Sequence, residues 1–161
     1  TDSRDGKTYK TVKIGNQVWM AENLCYKPES GNYWAYDNNQ NNKITLGYLY
    51  DWQTSKDVCP AGWHLPDKRE FEILLSKVGG SGSNAWHALK DGGSSGFSAL
   101  LGGWRYGDGS FNDFGSFGSF WSSSEYETGF AWLLDLNSGS QHATIYYAYE
   151  EAGLSVRFLQ N

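Results

Sequence analysis

The residues with the most chemistry to offer are aromatic and lie late in the chain. Trp104, Tyr106, Asp108, Asn112, Glu125, Tyr126, Tyr147 and Tyr149 combine flat apolar rings with short carboxylate and amide groups. That mixture suits sugars, whose apolar ring faces stack on aromatic groups while their hydroxyls exchange hydrogen bonds with acids and amides. These eight residues are the expected ligand-binding set. Glycines frame the first of them and let a loop wrap close to a partner. For Trp104 a competing role is to pin the 102–119 loop to the core together with Phe114.

Nucleophilic and metal chemistry have thinner support. Cys59 as a nucleophile needs a base and an orienting group, and His64, His87 and His142 offer imidazoles without any local signature that joins one to the thiol. The histidines stand 23 and 55 residues apart, unlike the i, i+4 pair of a helical zinc site. Asp37 with its Asn neighbours, and Asp108 with Asn112 and Asp113, present oxygen ligands for a hard cation, but neither group has the charge of an EF-hand loop. No metal and no cofactor is expected. His64, between Trp63 and Leu65, reads as a hydrogen-bonded structural imidazole. Cys25 and Cys59 flank a long polar segment, and their even count leads us to expect one disulfide, worth about 2–4 kcal/mol in the chain-entropy model.

The elements that must position these groups come from a chain of 161 residues, which fits one domain spanning 1–161. Gly, Ser and Pro make up about a quarter of it, yet 8 Trp, 11 Tyr and 8 Phe carry far more apolar surface than a disordered segment does. The net charge of −5, with no basic run, excludes the phosphate neutralisation that drives nucleic-acid binding and disfavours an anionic membrane. No apolar run approaches the roughly 20 residues of a membrane span, so no transmembrane segment is expected.

Alternation over Tyr9–Ile14 and again over Gln17–Met20 predicts a hairpin turned by Gly15-Asn16, with positive dihedrals at both. The polar stretch 26–42 reads as a surface loop. Asp67 and Glu70 form a capping box ahead of Phe71, Leu74, Leu75 and Val78, which predicts a helix ended by Gly79-Gly80. Shorter helices are expected at 47–54 and 83–89. Short apolar runs at 97–101, 120–122, 130–136, 144–149 and 154–159, set between turns, predict strands. The 102–119 stretch is a long loop without regular structure, a common home for function. Trp19, Trp52, Trp63 and Trp121 are assigned to the core, and Glu22 with Arg157 to a buried ion pair joining the chain ends. Helices early and strands late give an α+β fold.

Several co-linear motifs carry a resemblance. The run from Asp5 to Gly15 (DGKTYKTVKIG), Gln17 to Leu24 (QVWMAENL), Tyr48 to Trp52 (YLYDW), Cys59 to Pro66 (CPAGWHLP), Phe120 to Ser124 (FWSSS) and Gly153 to Arg157 (GLSVR) resemble the Fibrobacter succinogenes major paralogous domain family over nearly the whole chain. The resemblance implies a C-type-lectin-like domain in its formylglycine-generating-enzyme variant: two or three short helices, a mostly antiparallel sheet and long loops. It implies a secreted or surface-anchored bacterial protein, lipid-anchored in some members.

Formylglycine-generating enzymes use two cysteines in their C-terminal half, and this chain has none after Cys59. The Glu-Pro-Asn and Gln-Pro-Asp triplets of calcium-dependent sugar-binding lectins are missing too. The expected function is therefore non-catalytic ligand binding at the cell surface or outside the cell, by a monomer, with a glycan as first ligand. The alternative is a structural or adhesive module that meets another surface protein.

Overall fold

The computed structural model describes residues 1–161. Strands β1 (Thr11–Ile14) and β2 (Gln17–Met20) form the expected antiparallel hairpin, with Ile14 opposite Gln17. Its turn takes a positive φ at Gly15 alone, 60°, which suits the twist of a two-residue hairpin with glycine first.

The polar 26–42 stretch is more structured than its composition predicts. β3 (Tyr33–Trp34) is followed by a 3-10 turn over Tyr36–Asn38 and by α1 (Asn42–Leu46), and then pairs with β4 (Leu49–Tyr50). Aromatic packing outweighs local polarity here: Tyr33 meets Tyr48 edge-on with ring centroids 5.1 Å apart. Asp37 and Asn38 accept the left-handed conformation at φ 55°, which their short polar side chains tolerate.

Pairing of Leu49 and Tyr50 delays the helix expected at 47–54. It becomes α2 (Trp52–Asp57), capped by Asp51, whose carboxylate accepts from Thr54 N at 2.8 Å. After β5 (Trp63–His64), α3 (Lys68–Lys77) carries the full capping box of Asp67 and Glu70 and buries Phe71, Leu74 and Leu75. α4 (Ser83–Leu89) buries Ala85, Trp86 and Leu89 as expected. The 97–101 run makes only a single bridge, Lys90 to Ala99, and is not a strand.

The 102–119 stretch contains a small hairpin, β6 (Trp104–Arg105) with β7 (Phe111–Asn112). Gly103 makes it possible: at φ 70°, an added Cβ there meets Asn112 O at 2.5 Å and Tyr36 Cε2 at 2.8 Å. Next come β8 (Phe117–Glu127), β9 (Phe130–Asn137) and β10 (His142–Tyr149), a three-stranded antiparallel meander with β10 at one edge. β11 (Leu159–Gln160) lies between β2 and β5, so the chain ends meet in one sheet. The fold is α+β, with four short helices and small, mostly antiparallel sheets.

The closing segment follows its alternation but is regular only at its end. Leu154, Val156 and Phe158 enter one core with Trp121, Leu133 and Tyr50, while Ser155 and Arg157 are buried on the other side. Val156 O accepts from Leu24 N and Phe158 O from Met20 N. The expected Glu22–Arg157 pair is not formed. Arg157 donates instead to Asn23 Oδ1 at 2.8 Å and to the carbonyls of Phe97 and Ser98, and Glu22 accepts from Lys10 N. Burial lowers the Arg157 pKa to about 9. Of the four Trp residues assigned to the core, Trp19, Trp52 and Trp121 are buried and Trp63 half-buried.

The expected disulfide is absent; both cysteines are free. Cys25 Sγ points at Lys43 O (3.4 Å) and Cys59 Sγ at Trp63 O (2.8 Å), so each thiol is held by its own backbone partner. An even count sets no distance between two thiols.

Candidate functional site

The meander is buried diagonally, and this creates the site. One face carries Leu134, Leu136, Ala143 and Ile145 near the β9–β10 turn, covered by the core that includes Phe71, Leu74 and Trp86 of α3 and α4. The opposite face is covered at the other end of the sheet, where Ala131, Leu133 and Ala148 pack with Trp121 and Leu154. Each face is therefore free at the end where the other is covered.

The free end of the second face is an open groove of about 630 Å³. Register sets its floor: Asp135 lies opposite Ser119 on β8 and Thr144 on β10, and Asn137 opposite Phe117 and His142. The β6–β7 hairpin and the turn after it bring Trp104, Tyr106 and Asp113 to the wall, and Tyr146 closes the groove from the edge strand.

A short chain of hydrogen bonds fixes these groups. Trp104 Nε1 donates to Ser119 Oγ at 2.7 Å, and Ser119 donates to Asp135 Oδ1 at 2.5 Å. The other Asp135 oxygen has no protein partner and opens on the groove, although the residue is only 8% exposed. Burial pushes the Asp135 carboxyl up to about 6, with nearby Asp113 adding to the rise. Tyr106 donates to Asp113 Oδ2 at 2.7 Å; burial first, then that bond, raise the phenol to about 12 and keep it a neutral donor. Trp104 and Tyr106 stack with centroids 5.8 Å apart.

The free end of the first face is an aromatic ladder. Tyr126 stacks on Tyr147 at 4.2 Å and meets Trp132 edge-on at 4.7 Å, while Phe130 packs on Tyr149 at 4.3 Å. Tyr146 and Tyr147 project from opposite faces of an edge strand, yet their rings meet at 5.1 Å, which links ladder and groove around the edge.

The eight expected site residues thus divide. Trp104 and Tyr106 stand in the groove; Tyr126, Tyr147 and Tyr149 belong to the ladder. Asp108 occupies the exposed β6–β7 turn and accepts from Ser110 N, Asn112 donates to Ser110 Oγ, and Glu125 is exposed beside Tyr126. Phe114 is 58% exposed, with its ring against Tyr36 at 5.4 Å.

Residues 12–160, which include all of these groups, match the family model described as the Fibrobacter succinogenes major domain. The chain belongs to that family. No curated protein and no solved structure matches it. No helix is long and apolar enough to cross a membrane.

Within this Fibrobacter succinogenes major domain, Asp135, Asn137, His142 and Tyr146 are groove residues absent from the eight expected ones. Asp135 carries a readable signal: it is the one carboxylate inside the apolar run Phe130–Leu136, on the side of Leu133. The family's CPAGWHLP segment brings Cys59, His64 and Glu70 to one surface recess, but the imidazole there is engaged on both sides. His64 Nε2 meets Glu70 Oε1 at 2.8 Å and Nδ1 meets Asn161 Oδ1 at 2.7 Å, as expected for a structural histidine. Burial pushes the Cys59 thiol up to about 11, so the segment holds a neutral thiol beside an occupied imidazole.

Proposed function

We propose that this domain binds a glycan without transforming it, as part of a secreted or cell-surface protein, and that the ligand sits in the groove over the C-terminal end of β9. One observation carries the reading. Asp135 is buried in a position that raises its pKa, and it still presents a free oxygen to an open groove walled by Trp104, Tyr106 and Tyr146. Removing most of an acid from water is a cost to folding even while one of its oxygens still reaches solvent in the groove, and such costs concentrate at sites that bind or react. Aromatic walls with Asn137, Ser140 and Thr144 among them match the stacking faces and hydroxyls of a sugar.

The short helices, the antiparallel meander and the meeting of the chain ends at β11 support a C-type-lectin-like arrangement. A glycan array probed with the wild-type domain and with Trp104→Ala tests the function. Saturable binding by wild type and its loss in a variant that still melts cooperatively support it; no response across the array counts against it.

The second reading is an adhesive protein–protein module. It draws on the exposed ladder along the edge strand, where Tyr146, Tyr147 and Tyr149 are 51%, 36% and 62% exposed. The ladder rings stack mainly on one another, which leaves fewer free faces for a sugar than the groove offers. Association that rises with protein concentration and is lost on Tyr149→Ser favours this reading.

A further inference from the structure

The groove's charge restricts which glycan it takes. Two carboxylates, Asp113 and Asp135, line it, and among its lining groups only His142 can carry positive charge; there is no Lys or Arg to balance them. Asp135 is only 8% exposed, and the oxygen that Ser119 does not engage keeps its access to solvent through the groove that the residue lines. Trp104, Tyr106 and Tyr146 add ring faces beside the carboxylates, and a cation is attracted by such faces as well as by the acids. An acidic sugar meets repulsion here. A neutral sugar leaves the Asp135 charge without a counter-ion in a poorly solvated place.

Resting on the glycan reading above, we infer that the groove recognises a sugar bearing a free primary amine, a hexosamine without its N-acetyl group, with the ammonium seated against Asp135 and the ring stacked on the aromatic wall. Asn137, Ser140 and Thr144 offer partners for the hydroxyls of such a sugar, which an aliphatic lysine side chain does not use.

The test compares two defined probes by isothermal titration at pH 7 and low salt: a β-1,4-glucosamine tetramer and its fully N-acetylated counterpart. The amine form is expected to bind at least tenfold tighter, to weaken when salt is raised, and to lose that advantage in Asp135→Asn and in Asp113→Asn. Thermal melts establish that each variant is folded, and two separate carboxylate variants keep the test decisive if one of them fails to fold. Equal or tighter binding of the N-acetylated tetramer overturns the amine inference and leaves the glycan reading standing. Binding of neither tetramer, with capture of a lysine-rich peptide at the groove, overturns both. Binding of neither tetramer and no peptide capture likewise overturns the inference, and a blank glycan array then overturns the glycan reading separately.

Discussion

Trp104 and Asp135 are joined through a single hydroxyl: the indole N–H donates to Ser119 Oγ, and the Ser119 O–H donates in turn to Asp135 Oδ1. The ring that walls the groove and the acid on its floor are thus set by one residue between them. Because the indole can only donate and the carboxylate can only accept, the single Ser119 proton points at Asp135 and the chain has one polarity.

Trp104 and Tyr126 provide the sharpest contrast between groove and ladder. Trp104→Phe keeps a stacking ring but removes the donor to Ser119, and we expect glycan affinity to fall several-fold with a stability loss of about 1 kcal/mol. Tyr126→Ala removes its stacking on Tyr147 and is expected to cost about 1 kcal/mol while leaving glycan affinity unchanged. Titration and thermal melting of both variants check this; loss of binding in Tyr126→Ala alone moves the site to the ladder.

Arg157 fastens the C-terminal segment to the 97–98 turn and to Asn23. Arg157→Met leaves Asn23 Oδ1 and two carbonyls short of a donor, and we expect a loss of about 3 kcal/mol or more. Glu22→Gln, at a residue that forms no ion pair with Arg157 and acts on it only through space, is expected to change stability by less than about 1 kcal/mol. Urea unfolding of the two variants separates them.

His64 makes stability depend on pH near neutrality. Burial works against its charge, but the bonds to Glu70 and Asn161 win and raise its pKa. A raised histidine pKa stabilises the fold fully below the unfolded value, about 6.5, and that contribution is lost as pH rises through the higher folded value. We expect a small fall in melting temperature from pH 6 to pH 8 that is absent in His64→Gln; equal slopes in both proteins contradict it.

The free thiols predict a simple chemical result. Intact mass is unchanged by reduction, and a blocking reagent adds to both Cys25 and Cys59 once the chain is unfolded without reductant. A gain of two mass units on reduction contradicts it.

Local signals in the sequence were the dependable ones. The Asp67–Glu70 capping box, the Gly15 turn and the apolar faces of α3 and α4 each act within a few residues, and each appears where the pattern places it. Long-range partners were hidden. Arg157 meets Asn23 rather than its neighbour Glu22, since one residue along an extended chain changes the direction of the side chain. The polar 26–42 stretch gained structure from Tyr50 on β4 and from Tyr48 just before it. Five of the eight candidate site residues divide between groove and ladder, and Asp108, Asn112 and Glu125 join neither, because alternation assigns a face whereas only the docking of helices and loops decides which end of that face stays open. Asp135 was visible as an acid in an apolar strand, but its tie to Ser119 needed the register of β8 against β9.

Asp135→Asn, with stability and binding measured on the same protein across pH 5 to 8, tests the central claim most directly. A carboxyl raised from 3.8 to about 6 stabilises the fold fully below about 3.8, and that contribution is lost as pH rises from there through 6. The amide keeps a Ser119 acceptor without a charge, so we expect the variant to be more stable than wild type by roughly 1–3 kcal/mol at pH 7, with the gap narrowing to about half at pH 5. Binding of the amine-bearing sugar at the groove is expected to weaken at least tenfold in the same variant, the signature of a residue held for function at a cost in stability. A variant that is less stable than wild type at pH 7 and binds unchanged contradicts the account, because Asp135 is then a structural residue and the groove is not the site.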